Sequence, residues 1–353
     1  MSKSSPTRIG LIGCGGIVQK THLPCLLRLK DDARIVAVAD PVAASRELVG
    51  EAAGIPPAQR YEDFPALLRA GGLDLVLIAT PHHLHVPAVT AAARHGIAVV
   101  CEKPLGPDLD DSRRLVGTLQ KSGISFSVVH NFLFSPGNLR AQELLRRGGD
   151  EKPCFGRAQS LFAKEAPLNP RDWRNRADTG GGALNDTCYH EIYQMEKLIG
   201  APVVCVQARV GTVLHEITAD DLVLLTLEHA NGVLSTVSTA WAVPAFEGNF
   251  CEVHTDLRTL RVEGRGRQFR LYDRATRTWQ QEPLGPTDAP GLASGHFGFW
   301  QETLRALRHG EALPVPPLQA LRLVELLDAA RQSSVSRGQP VDVELTTLNP
   351  ILS

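Results

Sequence analysis

The chain has 353 residues, 43% hydrophobic and 21% charged, which is the composition of an ordinary globular protein and enough length for two cores rather than one. Its 37 basic and 38 acidic residues leave a net charge of -1, which excludes a field strong enough to gather nucleic acid or an anionic membrane surface over the whole molecule. Seven cysteines without any C-x-x-C spacing point to buried thiols in a reducing, cytoplasmic setting rather than a disulfide frame or zinc site, and no window reaches the ~18 unbroken apolar residues of a membrane span.

From Arg8 to about Val129, short apolar runs alternate with segments of helical period, the rhythm of strand-helix-strand units around a parallel sheet. Strands are predicted over 9–12, 35–39, 75–79, 98–101 and 125–129, and helices over 21–30, 42–52, 86–95 and 110–121, the last capped by Asp108 or Asp110. The first strand runs into Gly13-Cys14-Gly15-Gly16-Ile17-Val18, a tight turn at a helix start that would aim backbone amides at a pyrophosphate. Asp40 ends the second strand, where a carboxylate would accept hydrogen bonds from the adenosine ribose hydroxyls. Its charge would repel a 2′-phosphate, so NAD is expected in preference to NADP. The fourth strand leads into Glu102-Lys103-Pro104 and sets Lys103 outside the carboxyl end of the sheet, where open α/β sheets bind ligands.

Beyond His130 the texture changes to a helix over 138–147, a strand over 157–163, a loop rich in Pro and Arg, a glycine run and a helix over 184–199. Strands over 203–210, 222–229, 233–240, 249–254, 259–262 and 268–272 follow, joined by short turns such as Ala230-Asn231-Gly232. They predict an open, mostly antiparallel sheet whose long face needs cover from a helix or another subunit. Helices over 298–308 and 319–334 close the chain. The fold class is therefore α/β followed by α+β: a Rossmann dinucleotide-binding domain over 1–129, then a domain with an open, mostly antiparallel sheet over 130–353, whose late helices are free to pack back on the first.

In the helix beginning at 184, Asp186 and His190 stand four apart and so share a face. A histidine exchanges protons near neutral pH, and a carboxylate neighbour would fix its tautomer, so the pair is a candidate acid/base unit. Arg171, Arg174 and Arg176 flank Trp173 in the preceding loop, either to hold an anionic substrate or as a solvated basic surface. His82, His83 and His85 lack a Cys or carboxylate partner at ligand spacing, so no metal is expected.

Taken together, LIGCGGIVQKTHLP, VADP ending at Pro41, ATPHHLH from Ala79 to His85, CEKPLG from Cys101 to Gly106, and DWR with GGGALNDTCYH from Asp172 to His190 resemble the glucose-fructose oxidoreductase and inositol dehydrogenase (Gfo/Idh/MocA) family over nearly the whole length. The resemblance implies an NAD(H)-dependent oxidoreductase acting on a ring secondary alcohol of a sugar or cyclitol. Lys103, Asp186 and His190 match the family's catalytic positions. Gly13, Gly15, Gly16, Ile17, Asp40, Thr80, Pro81, His82, His85, Glu102 and Lys103 would hold the cofactor, and Lys103, Trp173, Arg174, Asp186, Tyr189 and His190 the substrate, with Tyr193 and His296 as further candidates to line the sugar site or pack beside it. Three positions depart from the family pattern: Val18 at the third glycine site, His82 where Asn is common, and Cys188 where Gly is usual. The resemblance also implies that the second domain, over 130–353, binds substrate and oligomerises, giving a homodimer or homotetramer. By the same resemblance the motifs also serve an NAD-dependent glycosidase, working by transient oxidation and elimination, or a non-catalytic NAD-binding sensor.

Overall fold

Six parallel strands form the first sheet: β1 (Thr7–Ile12), β2 (Ala33–Ala39), β3 (Arg60–Tyr61), β4 (Leu75–Ile78), β5 (Ala98–Cys101) and β6 (Phe126–Val128), in the spatial order β3-β2-β1-β4-β5-β6. The structure, a computed structural model, describes residues 5–149, 151–164, 168–244, 248–285 and 291–344. It divides into two compact units, residues 1–131 with 289–292 and 296–321, and residues 132–288 with 293–295 and 322–353.

In the first unit β4 and β5 are buried along their whole length, as their unbroken aliphatic sequences require of strands covered on both faces. Helices α1 (Leu23–Arg28), α2 (Ala43–Ala52), α3 (Phe64–Ala70), α4 (His85–Arg94) and α5 (Leu109–Ser122) connect the strands. Asp108 caps α5 by accepting from the Asp111 amide at 2.8 Å. Two differences from the sequence reading stand out. The edge strand β3 and helix α3 went unpredicted, because two residues carry no periodicity and seven span barely two helical turns. The helix expected over 21–30 instead opens with a π-helical turn, Val18–His22, before α1.

The second unit carries a nine-stranded sheet ordered β14-β13-β12-β11-β7-β10-β9-β8-β15, built from β7 (Pro153–Leu161), β8 (Val203–Gly211), β9 (Leu222–His229), β10 (Leu234–Ala240), β11 (Phe250–Thr255), β12 (Arg258–Glu263), β13 (Gln268–Asp273), β14 (Thr278–Glu282) and β15 (Val341–Asp342). Only β7 and β10 pair in parallel; every other pair is antiparallel. Helices α6 (Pro136–Arg147) and α7 (Tyr189–Ile199) lie on one face, where Val223, Leu225, Leu227, Val237, Cys251 and Val253 join Ile192, Met195 and Ile199 in the core. The opposite face shows Phe155, Leu224 and Leu234 to solvent. Helix α8 (His296–His309) belongs to the first unit, and α9 (Pro317–Val335) supplies Leu323, Leu326 and Leu327 to the core of the second. No helix among the described residues is long and apolar enough to cross a membrane.

Candidate active site

The first unit's loops gather where the strand order reverses, at the carboxyl ends of β1, β4 and β5. Gly13 leaves β1 at φ +93, and an added Cβ would sit 2.4 Å from the Ala79 carbonyl, so only glycine lets the two strand ends approach this closely. At Gly15 and Gly16 a Cβ would meet no protein atom within 4 Å, leaving open space beside the loop amides. Asp40 accepts from the Cys14 amide (2.6 Å) and the Val42 amide (2.8 Å). A carboxylate offers about four lone-pair positions, so acceptor capacity for ribose hydroxyls remains. Thr80 Oγ1 is buried without a hydrogen-bond partner among the described residues, a polar atom awaiting one at the β4 exit. These features fit a dinucleotide: amides and space for the pyrophosphate, a carboxylate for the ribose, and an unsatisfied hydroxyl. Val18, the departure at the third glycine position, is wholly buried inside the π turn.

His85 does not offer its ring to a ligand. It is fully buried, with Nδ1 2.7 Å from the Pro104 carbonyl and Nε2 3.0 Å from the Thr80 carbonyl; burial lowers its pKa, and the one N–H of a neutral ring can donate to only one of these carbonyls. His82 is nearly buried beside it, ring centroids 5.6 Å apart. Lys103 is 9% exposed and precedes Pro104 through a cis peptide bond; its backbone N–H donates to Glu102 Oε2 at 3.2 Å. Burial opposes ionisation of Glu102, but the His22 hydrogen bond outweighs it and holds the carboxyl below its usual value. His296 lies in the same group, and burial pushes its pKa down to about 3, so it is neutral.

Ligand-type atoms of His22, Glu102 and His296 all lie within 4.8 Å of one another. The surroundings do not suit a cation. Trp300 Nε1 donates to His22 Nδ1 at 2.9 Å, which leaves the ring proton on Nε2, the nitrogen a metal would need bare.

In the second unit, the loop over 171–176 and the glycine run lead into a second π-helical turn, Leu184–Cys188, and then α7. Asp186 and His190 are both partly exposed, one on each of these segments. The π turn is fixed at its start by Asp220, whose Oδ2 accepts from the Leu184 amide (2.7 Å) and whose carbonyl accepts from Ala183 (2.9 Å). Gly182, at φ +108, would set a Cβ 2.3 Å from Asp220 Oδ1. Along the same turn, Trp241 Nε1 donates to Thr187 Oγ1 at 3.0 Å. Cys188 is wholly buried there, and burial raises its thiol pKa well above the usual value, so the residue that replaces glycine serves as packing.

The Tyr193 hydroxyl lies 2.9 Å from His190 Nδ1 and accepts from the Phe132 amide at 3.2 Å. Phe132 packs against the imidazole, centroids 4.8 Å apart. Tyr193 is thus an orienting residue for His190, a role that one residue's spacing could not separate from packing. Tyr189 is wholly buried in the core, edge-on to Tyr193. Arg174 stacks over the Trp173 ring at 4.3 Å, and Arg176 is paired with Asp178, so much of the basic loop is satisfied internally.

Residues 7–130 match the family model described as "Oxidoreductase family, NAD-binding Rossmann fold", and residues 138–261 match the "GFO/IDH/MocA C-terminal domain". Among curated proteins the chain is 30% identical to D-apiose dehydrogenase of Paraburkholderia graminis over 95% of this chain and 89% of that one. It is 31% identical to inositol 2-dehydrogenase 4 of Saccharopolyspora erythraea over 65% of each. A solved structure with the same fold, at 22% identity and a TM-score of 0.81, covering 96% of this chain and 99% of that one, is the WlbA dehydrogenase from Bordetella pertussis in complex with NADH and UDP-GlcNAcA.

Proposed function

The chain belongs to the Gfo/Idh/MocA oxidoreductase family, and from that premise we propose that it interconverts a ring secondary alcohol and the corresponding ketone of a sugar, sugar derivative or cyclitol, using NAD. The observation that carries this reading is the 30% identity to a D-apiose dehydrogenase along 95% of the chain. The bound nicotinamide supplies the acceptor for the hydride that leaves the carbinol carbon. His190 takes the hydroxyl proton, its ring held by Tyr193 and Phe132. Lys103 donates a hydrogen bond to the same oxygen and stabilises the charge that develops there, and Asp186 tunes His190 electrostatically. Asp40 selects NAD over NADP. The protein is proposed to work in the cytoplasm, where its seven free cysteines stay reduced, as a homodimer or homotetramer that covers the open face of the nine-stranded sheet.

Purified protein with NAD is offered aldoses first, then cyclitols, glycosides, uronates and sugar phosphates, and NADH is followed by absorbance. Turnover of one class, with Lys103→Ala reducing kcat by about 10² to 10⁴, is the expected result. Silence across the panel, or full activity of both Lys103→Ala and His190→Ala, removes the assignment.

A further inference from the structure

Beneath the Lys103 loop a line of hydrogen bonds crosses the first unit. Trp300 Nε1 on α8 donates to His22 Nδ1 (2.9 Å), His22 Nε2 meets Glu102 Oε1 (2.7 Å), and Glu102 Oε2 accepts from the Lys103 amide (3.2 Å). His22 and Trp300 are wholly buried, and the Glu102 side chain is 12% exposed. An indole N–H can only donate, so His22 Nδ1 must present its lone pair, and the one ring proton of the neutral imidazole then lies on Nε2, aimed at the carboxylate. Protonating Nδ1 would set N–H against N–H between two wholly buried side chains. A carboxylate at hydrogen-bond distance ordinarily raises a histidine's pKa and favours imidazolium. Here Trp300 opposes that outcome by geometry.

We propose that His22 and Trp300 are positioning residues for the reaction: Trp300 holds His22 neutral in one tautomer, and His22 holds Glu102 so that its second oxygen fixes the Lys103 backbone. The functional part rests on the role assigned to Lys103 above. His22 ends the π turn that follows the glycine loop, so the same ring joins the cofactor-binding segment to the loop carrying Lys103. The titratable groups facing this line are Glu102 and Lys103 on the loop, His296 on α8 with its ring 5.1 Å from His22, and His130 after β6, which burial pushes down to about 3. Burial holds His296 and His130 neutral, so neither adds a charge beside Glu102.

Nitrogen-15 NMR of the histidine-labelled full chain, with the His22 signals assigned from His22→Gln, reads the tautomer directly and needs no substrate. Wild-type His22 is expected as the neutral Nε2-protonated form throughout pH 5 to 9. In Trp300→Phe, which keeps an aromatic ring but removes the donor, His22 should lose its single tautomer and take up a second proton on acidification. Hydrogen exchange at the Lys103 amide should accelerate at least about tenfold in His22→Leu and return toward wild type in His22→Gln, whose amide both accepts and donates. With a turned-over sugar, His22→Leu should lose kcat with little change in KM, and Trp300→Phe should gain an acid limb in kcat/KM at the NMR midpoint. A wild-type His22 that titrates as imidazolium overturns the tautomer lock. Unchanged exchange at Lys103 in His22→Leu, with thermal melting showing the variant folded, overturns the positioning role. Failure of every sugar with the lock intact counts against the assigned activity alone.

Discussion

At the scale of single residues, the site consists of groups whose chemistry is set by one or two neighbours. Asp40 is already held by two amides, so its carboxylate is preorganised for ribose hydroxyls and against a 2′-phosphate. Asp40→Ser should raise the ratio of kcat/KM for NADP to that for NAD by about tenfold or more, through weaker NAD binding and relief of repulsion; a wild-type enzyme that already uses both cofactors equally contradicts the assigned role. Tyr193 meets His190 at 2.9 Å, so Tyr193→Phe should lower kcat by about tenfold, the effect of losing one well-placed hydrogen bond, and displace the acid limb of the pH profile. Wild-type kinetics in that variant would leave Tyr193 as packing alone. The glycine turn at Gly13 and the strand-terminal Asp40 were legible in the sequence because each sits in a short motif, and the proposed roles of Lys103, Asp186 and His190 rest on motifs of the same kind. Tyr193, Asp220, His22 and Trp300 were not legible as partners; Trp300 is 278 residues from His22, and no local pattern announces a contact at that range.

At the scale of elements, both functional helices begin in π turns, Val18–His22 and Leu184–Cys188, where the sequence reads as plain helix. Hydrophobic periodicity over five residues cannot separate the two helical forms; neighbours do. Asp220 anchors the second turn, and burial raises its carboxyl from 3.8 to about 6 despite the Leu184 amide and Arg331. Because the folded value lies above the unfolded one, the folded state binds more protons between roughly pH 4 and 6, and stability falls as pH rises through that window. Asp220→Asn keeps an oxygen for the Leu184 amide and removes the desolvated charge. It should therefore raise stability at pH 8 by about 3 kcal/mol, seen as a higher melting temperature, a gain that vanishes below about pH 4. Asp220→Ala leaves the amide unsatisfied and should destabilise at every pH by about 1 to 3 kcal/mol. Equal melting of Asp220→Asn and wild type across pH 4 to 8 would show the carboxyl to be solvated and the linkage absent.

At the scale of the whole molecule, the nine-stranded sheet has one face packed under α6 and α7 and another open, with Phe155, Leu224 and Leu234 exposed around a network in which Arg157 and Arg261 both pair with the buried Glu252. A face of that kind is suited to self-association. Light scattering should find a dimer or tetramer, and the double variant Leu224→Glu, Leu234→Glu should shift it toward monomer with an unchanged melting profile at low concentration; a monomeric wild type refutes the assembly. The order of the elements could be read from the sequence because unbroken aliphatic strands, alternating strands and helical periods differ in a way that local burial imposes. The chain also carried its own cofactor signature, since a glycine turn followed by a strand-terminal carboxylate has meaning within a few dozen residues. Edge strands such as β14, with its largely exposed Thr278–Glu282, escaped because an edge open to water needs no apolar pattern. What only the tertiary structure decided was which polar groups face one another: Trp300 against His22, Asp220 against Leu184, Tyr193 against His190. Those pairings set tautomer, charge and rotamer, and hydrogen bonds between distant segments depend on position to within a few tenths of an ångström, which no sequence spacing encodes.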